Sequence, residues 1–184
     1  MPVLVVLFAT TSFVNLREAQ SLRLDRTHRI PQFSAGQLPT LMETQYQSVG
    51  NANKVRLASL LAPILVVYFV KANDCIAIIP EVEDVQAKYG TALDIAIFAI
   101  DFSVEEREQL RRLFPNKQLV LECGECKDLE KMRLPKTPHR LLIERTSKTL
   151  LLEERPGINK IEREAFLIRL ERLMIMRGHR APNS

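Results

Sequence analysis

Three cysteines are the residues of this chain best able to do chemistry. Cys75 stands alone, whereas Cys123 and Cys126 form a close pair, Cys123-Gly-Glu-Cys126. The stretch APILVVYFVKANDCIAIIP, from Ala62 to Pro80, puts Cys75 after an apolar run and at the start of an expected helix. At such a junction, unpaired N–H groups and the positive end of the helix dipole stabilise a thiolate. Lys71 adds positive charge nearby. Ile76, Ala77, Ile78 and Ile79 act in the other direction, because they are apolar enough to bury the thiol and raise its pKa. A reactive Cys75 and an inert, buried Cys75 therefore both stand at this stage. Gly124 permits the tight turn that the second pair needs. Its neighbours Glu122, Glu125 and Asp128 disfavour a thiolate, so Cys123 and Cys126 read as a slow nucleophile, better suited to a structural or resolving disulfide.

Other chemistries have weaker footing. A single C-x-x-C supplies two zinc ligands, and the rest would have to come from His139, Cys75 or carboxylates, so no metal or other cofactor is expected. His28, His139 and His179 are scattered, none with a Ser or Cys pattern that suggests a hydrolase. Six glycines are spread too thinly for a phosphate-binding loop. The net charge is +4, and basic and acidic residues interleave, as in LREAQSLRLDR and EEREQLRRLF. Only MRGHR at 176–180 is one-signed. Trp is absent and aromatics are 6%, which leaves no stacking platform for bases, so no nucleic-acid partner is expected.

The elements that must position these residues follow from pattern. Ile64–Val70 is a continuous, Val-rich apolar run, the signature of a strand covered on both faces. Asn73 or Asp74 can cap a helix over Cys75–Tyr89, which Gly90 ends. Leu93–Ile100 reads as a second buried strand, and Ser103-Val-Glu-Glu106 as a capping box opening a helix to about Phe114. A third strand covers Gln118–Glu122 and a short helix Lys127–Met132. Leu141–Glu144 and Thr149–Glu153 flank a turn and form a hairpin. Lys160–Met176 is a long helix with Ile161, Phe166, Leu167, Leu170 and Leu173 on one stripe. Before these, LPTLMETQYQ and Val55–Leu57, separated by Gly50-Asn51, read as an N-terminal β-hairpin, and a short helix is expected at Leu16–Leu24.

Buried strands alternating with helices argue for a mostly parallel α/β sheet with an antiparallel hairpin at its edge. The length of 184 residues suits one domain with an N-terminal appendage. The expected division is a signal peptide or membrane anchor at 1–16, a linker at 17–36, the folded domain at 37–177 and a tail at 178–184. The first segment, MPVLVVLFATTSFVNL, carries no charged side chain, but it is shorter than the roughly 20 residues a spanning helix needs. An exported or membrane-anchored protein of the cell envelope is the expectation, with the cytoplasm as the alternative.

Order and landmarks together resemble a thioredoxin-like fold of the redoxin type, similar to membrane-tethered thiol–disulfide oxidoreductases and to the methylamine-utilisation accessory thioredoxins. The residues that carry the resemblance are the junction ILVVYFVKANDC, Pro80 five residues after Cys75, Lys136-Thr137-Pro138 before HRLLIE, and the closing ERTSKTLLLEERPG. They cover about residues 37–175. The resemblance implies a three-layer α/β sandwich with a central mixed sheet and an N-terminal β-hairpin extension. It implies that Pro138 is a cis proline beside Cys75 and that Thr137 offers backbone groups to an extended peptide. The partners it implies are protein thiols or disulfides. One departure stands out: the family's first active-site cysteine falls on Ala72, leaving Cys75 as the surviving half, with Cys123 and Cys126 as candidates to replace the other. Three functions follow: a redox relay with a single cysteine, an inactive protein-binding or assembly module, and a thiol peroxidase. The last would lack the usual threonine hydroxyl, again at Ala72.

Overall fold

The structure, a computed structural model, describes residues 33, 36–49, 53–114, 119–122, 137–157 and 159–178. All of them lie in the compact unit Pro31–Ser184. Seven strands form one sheet: β1 (Gln45–Ser48), β2 (Lys54–Arg56), β3 (Ile64–Val70), β4 (Leu93–Ala99), β5 (Leu119–Glu122), β6 (His139–Glu144) and β7 (Thr149–Glu154). Their order across the sheet is β2-β1-β5-β4-β3-β6-β7. Among the described residues, four α-helices accompany them: α1 (Leu38–Glu43), α2 (Cys75–Tyr89), α3 (Val104–Leu113) and α4 (Lys160–Met176).

β3 forms where the sequence demands it. All seven residues of ILVVYFV are buried, and each fully buried aliphatic side chain contributes roughly 1.5–3 kcal/mol. It pairs in parallel with β4, Val66 opposite Ile95, and antiparallel with β6, Val66 opposite Leu142. Alternation then sorts the run onto two faces. Ile64, Val66, Tyr68 and Val70 pack with Ile78, Val82 and Val85 of α2, Leu110 of α3, and Phe166, Leu170 and Met174 of α4. Leu65, Val67 and Phe69 pack with Leu38, Leu41 and Met42 of α1. The result is the expected mixed sheet between two helical layers.

Some expectations need correction. LPTLMETQYQ is not one strand, because Leu38–Glu43 is helical and only Gln45–Ser48 is extended. Pro39 suits the first turn of a helix, and Leu38, Leu41 and Met42 share one helical face that the sheet buries. The β1–β2 hairpin pairing itself is present, Tyr46 opposite Val55. Ile161 is not on the buried stripe of α4, being 72% exposed, while Met174 is buried. The capping box at Ser103 is present in both directions, and Asn159 forms a second one with Glu162. The expected helices at 16–24 and 127–132, the turn at 50–51 and the N-terminal segment 1–16 lie outside the described residues. Among the described residues no helix is long and apolar enough to cross a membrane.

Candidate functional site

β3 ends at Val70, and a 3-10 turn, Ala72–Asp74, leads directly into α2 at Cys75. Asp74 occupies the N-cap position, yet its side chain does not cap the helix. Its carboxylate accepts from the Lys71 N–H at 3.2 Å, while its own N–H donates to the Lys71 carbonyl at 2.9 Å. The acid is thus spent on tightening the turn, and the first turn of α2 holds no acidic residue. Lys71 does not simply add positive charge beside the junction, because its ammonium lies 3.1 Å from the exposed Asp101 carboxylate. Asp101 itself takes a positive φ of 57° in the loop after β4.

The apolar residues after Cys75 do not form the blanket that the sequence suggests. Ile78 is fully buried against the sheet, but Ile76 is 81% exposed. A helix start with an exposed Ile one residue after the cysteine offers a hydrophobic contact to an incoming chain.

The Thr137–Pro138 peptide bond is cis. Both residues are half-buried and immediately precede β6. Antiparallel register sets His139 opposite Phe69, so the cis bond lies level with the end of β3. The start of α2, the end of β3 and the Thr137–Pro138 bond therefore share one end of the sheet. β5 runs parallel to β4 and finishes at the same end, Glu122 opposite Ala99. Cys123 follows Glu122 in the chain, but Cys123 and Cys126 lie outside the described residues. The resemblance set Pro138 beside Cys75; the backbone has the start of α2 and the Thr137–Pro138 segment at the same end of the sheet.

A buried ionic network, which the sequence analysis missed, lies on the face of the sheet that α2 and α4 cover. Tyr68, Arg140 and Glu154 are opposite one another across β3, β6 and β7, a single rung of the sheet. Arg140 is 1% exposed and reaches Glu81 of α2 with one terminal nitrogen and Glu154 with the other. Glu81 is fully buried and follows Pro80 within α2. It accepts from the Tyr68 hydroxyl at 2.9 Å and from the Gly157 N–H at 3.0 Å. Glu154 also accepts two bonds from Arg169 of α4, both 2.8 Å. The Phe166 ring covers the Arg140 guanidinium at 3.3 Å from its centroid. Two carboxylates facing two guanidiniums keep the cluster electrically balanced, as burial requires.

The local field follows from that arrangement. Burial, then the Glu81 charge, hold the Tyr68 phenol well above its ordinary value. Burial alone would lower the Arg140 pKa, but Glu81 and Glu154 outweigh it and raise the pKa. The signals that could have found this cluster are an Arg in the middle of the apolar strand HRLLIE and a Glu at the buried i+3 position after Ile78. On the opposite face, His139 Nε2 and Glu153 Oε1 are 3.0 Å apart, and the other Glu153 oxygen accepts from the Phe33 N–H at 3.2 Å. No group of three or more metal-ligating side chains is present among the described residues.

No protein-family model matches the sequence, and no curated protein matches it. Solved structures do match. A secreted Mycobacterium tuberculosis disulfide oxidoreductase, homologous to E. coli DsbE, aligns at 14% identity with a TM-score of 0.59, covering 72% of this chain and 98% of that one. The exposed lipoprotein thioredoxin of Streptococcus pneumoniae aligns at 16% identity with a TM-score of 0.55, covering 71% and 98%. A thioredoxin-like protein from Aeropyrum pernix aligns at 9% identity with a TM-score of 0.56, covering 72% and 92%. The fold is thioredoxin-like.

Proposed function

We propose that this protein acts on protein thiols or disulfides as a redox relay working through one thiol, Cys75. The observation that carries this reading is the shared position of two segments: Thr137–Pro138 stands level with the end of β3, at the sheet end where α2 opens on Cys75. The resemblance implies that Thr137 offers its backbone groups to an extended segment, which can add to it by strand-type hydrogen bonds. The exposed Ile76 supplies an apolar contact beside that groove. The helix start lowers the cost of a thiolate.

The chemistry that fits is thiol–disulfide exchange in two steps. The Cys75 thiolate attacks one sulfur of a partner disulfide, forming a mixed disulfide and releasing the other partner sulfur as thiolate. A second thiolate then attacks Cys75, displacing the partner sulfur and leaving a new disulfide. Ala72 cannot supply that second thiol. Cys123 or Cys126 is proposed for the role, and a thiol from a separate protein is the alternative donor.

A second reading is a binding module without turnover. Ala72 favours it, since the peptide-docking features remain while one sulfur of the usual pair is missing. The thiol peroxidase reading has less support, because Ala72 brings no hydroxyl to a peroxide. Placement in the cell envelope rests on the apolar segment 1–16 and on the secreted and lipoprotein character of two similar structures.

The test is reaction of the full chain with a peptide carrying an aromatic mixed disulfide, followed by mass mapping of each cysteine. A relay captures the peptide on Cys75 faster than on Cys123 or Cys126, and Cys75→Ser abolishes that phase. Capture unaffected by Cys75→Ser overturns the proposal. Peptide binding without any covalent capture establishes the binding-module reading instead.

A further inference from the structure

One buried ion pair, Glu81–Arg140, joins the two segments of the proposed thiol site. Glu81 stands six residues after Cys75, about 9 Å along the axis of α2. Arg140 stands two residues after Pro138, about 7 Å along an extended chain. Tyr68 donates to the same Glu81 carboxylate at 2.9 Å and lies two residues before the end of β3. α2, β3 and β6 are therefore all tied to one carboxylate, close to the sheet end where they meet.

Pro80 makes the position of that tie matter. It has no N–H to give the Ile76 carbonyl, and its ring crowds that carbonyl, so the helical ladder is interrupted between the first turn and the rest of α2. Glu81 is the first residue past the interruption. Held by Tyr68, Arg140 and the Gly157 N–H, it fixes the point from which the turn carrying Cys75 projects. Stability alone does not call for this cluster, since well-packed apolar side chains of similar volume often serve a core as well as a buried ion pair. Arg140 Nε moreover has no partner among the described residues, a cost taken at a residue only 1% exposed. What an apolar filling lacks is direction. Two carboxylates on one planar guanidinium hold α2, β6 and β7 at a set spacing.

We infer, on the redox-relay reading proposed above, that Glu81 and Arg140 are positioning residues of the thiol site. Their pair sets the spacing between Cys75 at the head of α2 and the Thr137–Pro138 backbone at the head of β6. It thereby sets where a peptide docked on Thr137 presents its disulfide to the thiolate. Both side chains are buried and act through the elements that carry the site.

The test uses the full chain and two reagents with one leaving group: the peptide carrying an aromatic mixed disulfide, and the same aromatic disulfide without the peptide. Capture on Cys75 is followed by mass mapping. Both reagents need the thiolate, but only the first needs the Thr137–Pro138 backbone at the right distance from it. The ratio of the two rates, peptide over small disulfide, therefore reads placement and not thiol reactivity. Glu81→Gln keeps an acceptor but loses the charge, and Arg140→Lys keeps the charge but cannot fork to both Glu81 and Glu154. Each should lower the ratio about tenfold while the small-disulfide rate stays within about twofold. Glu81→Leu combined with Arg140→Met removes both charges together and should show the same fall. Circular dichroism identifies the folded variants, and the double variant decides where a single one does not fold. Leu41→Ala opens a cavity on the opposite face of the sheet, which controls for lost stability, and it should leave the ratio within about twofold. A high ratio in the unaltered chain that the folded variants retain overturns the positioning role and leaves the relay reading standing. An equal fall in Leu41→Ala does the same. A ratio near one in the unaltered chain refutes peptide docking beside Cys75 itself, and the positioning role with it.

Discussion

Glu81 is predicted to be the side chain that fastens α2 to the rest of the fold. Its carboxylate receives three donors from three other elements: the Tyr68 hydroxyl of β3, the Arg140 guanidinium of β6 and the Gly157 N–H before α4. Glu81→Ala removes all three acceptor contacts at a fully buried position. Each orphaned neutral donor costs at least about 1 kcal/mol. Breaking a buried ion pair by deleting one partner costs about 3–5 kcal/mol. These costs overlap, since Arg140 keeps Glu154. The expected loss is therefore about 4 kcal/mol, a large share of the 5–15 kcal/mol that holds a typical domain. Glu81→Gln keeps a carbonyl acceptor and should cost about half as much.

The decisive comparison is a double-mutant cycle. Arg140→Met should cost about 4 kcal/mol alone, because it strips Glu81 of its cation. Glu81→Leu combined with Arg140→Met removes both charges together and leaves Glu154 paired with Arg169. The double variant should be more stable than the sum of the singles by about 2–3 kcal/mol. Urea unfolding followed by far-ultraviolet circular dichroism measures all three. Amide exchange should show α2 losing protection first in Glu81→Ala. A loss below about 1 kcal/mol for Glu81→Ala, or additivity within about 0.5 kcal/mol, would refute the assignment of this cluster as the anchor of α2.

Two further outcomes follow from packing and titration. Gly157→Ala should destabilise by about 2–3 kcal/mol in urea, because a Cβ there would fall 2.6 Å from Glu162 Cβ and 2.8 Å from the Arg163 nitrogen, forcing its N–H away from Glu81. Burial, then Glu171, push the Tyr89 phenol up to about 12, and burial, then Glu81, push Tyr68 higher than its ordinary value. The folded state holds these protons more tightly than the unfolded chain, so their contribution is complete below pH 10 and is lost as pH rises toward and beyond about 12. Stability should fall across that alkaline window, and absorbance at 295 nm should show Tyr68 and Tyr89 staying un-ionised until the protein unfolds. Full tyrosine ionisation in the folded protein at pH 11 would contradict both shifts.

Much of the fold was legible because it rests on short-range rules. ILVVYFV could only be a strand covered on both faces, and Ser103-Val-Glu-Glu106 satisfies its own helix start wherever it is placed. Pro138 before HRLLIE was legible through resemblance, and the bond before it is cis. Leu38–Glu43 was misread because its spacing fits a strand as well as one and a half helical turns, and the sheet face that Leu41 and Met42 cover decided between them. Asp74 was expected as a cap by residue type, but competition from the Lys71 N–H, three residues back, took its carboxylate.

The sequence by itself determined the alternation of strands and helices, the junction that introduces Cys75, and the presence of Ala72 rather than a second cysteine three residues before it. Those depend on residue type and neighbours a few positions away. Only the tertiary structure decided that Tyr68, Arg140 and Glu154 form one rung, that Glu81 meets them from α2, and that Ile161 faces outward while Met174 faces in. Tyr68 and Arg140 are 72 positions apart in the chain, and their meeting depends on strand register. Register is set by the burial of whole faces at once, so no local pattern around either residue could have paired them.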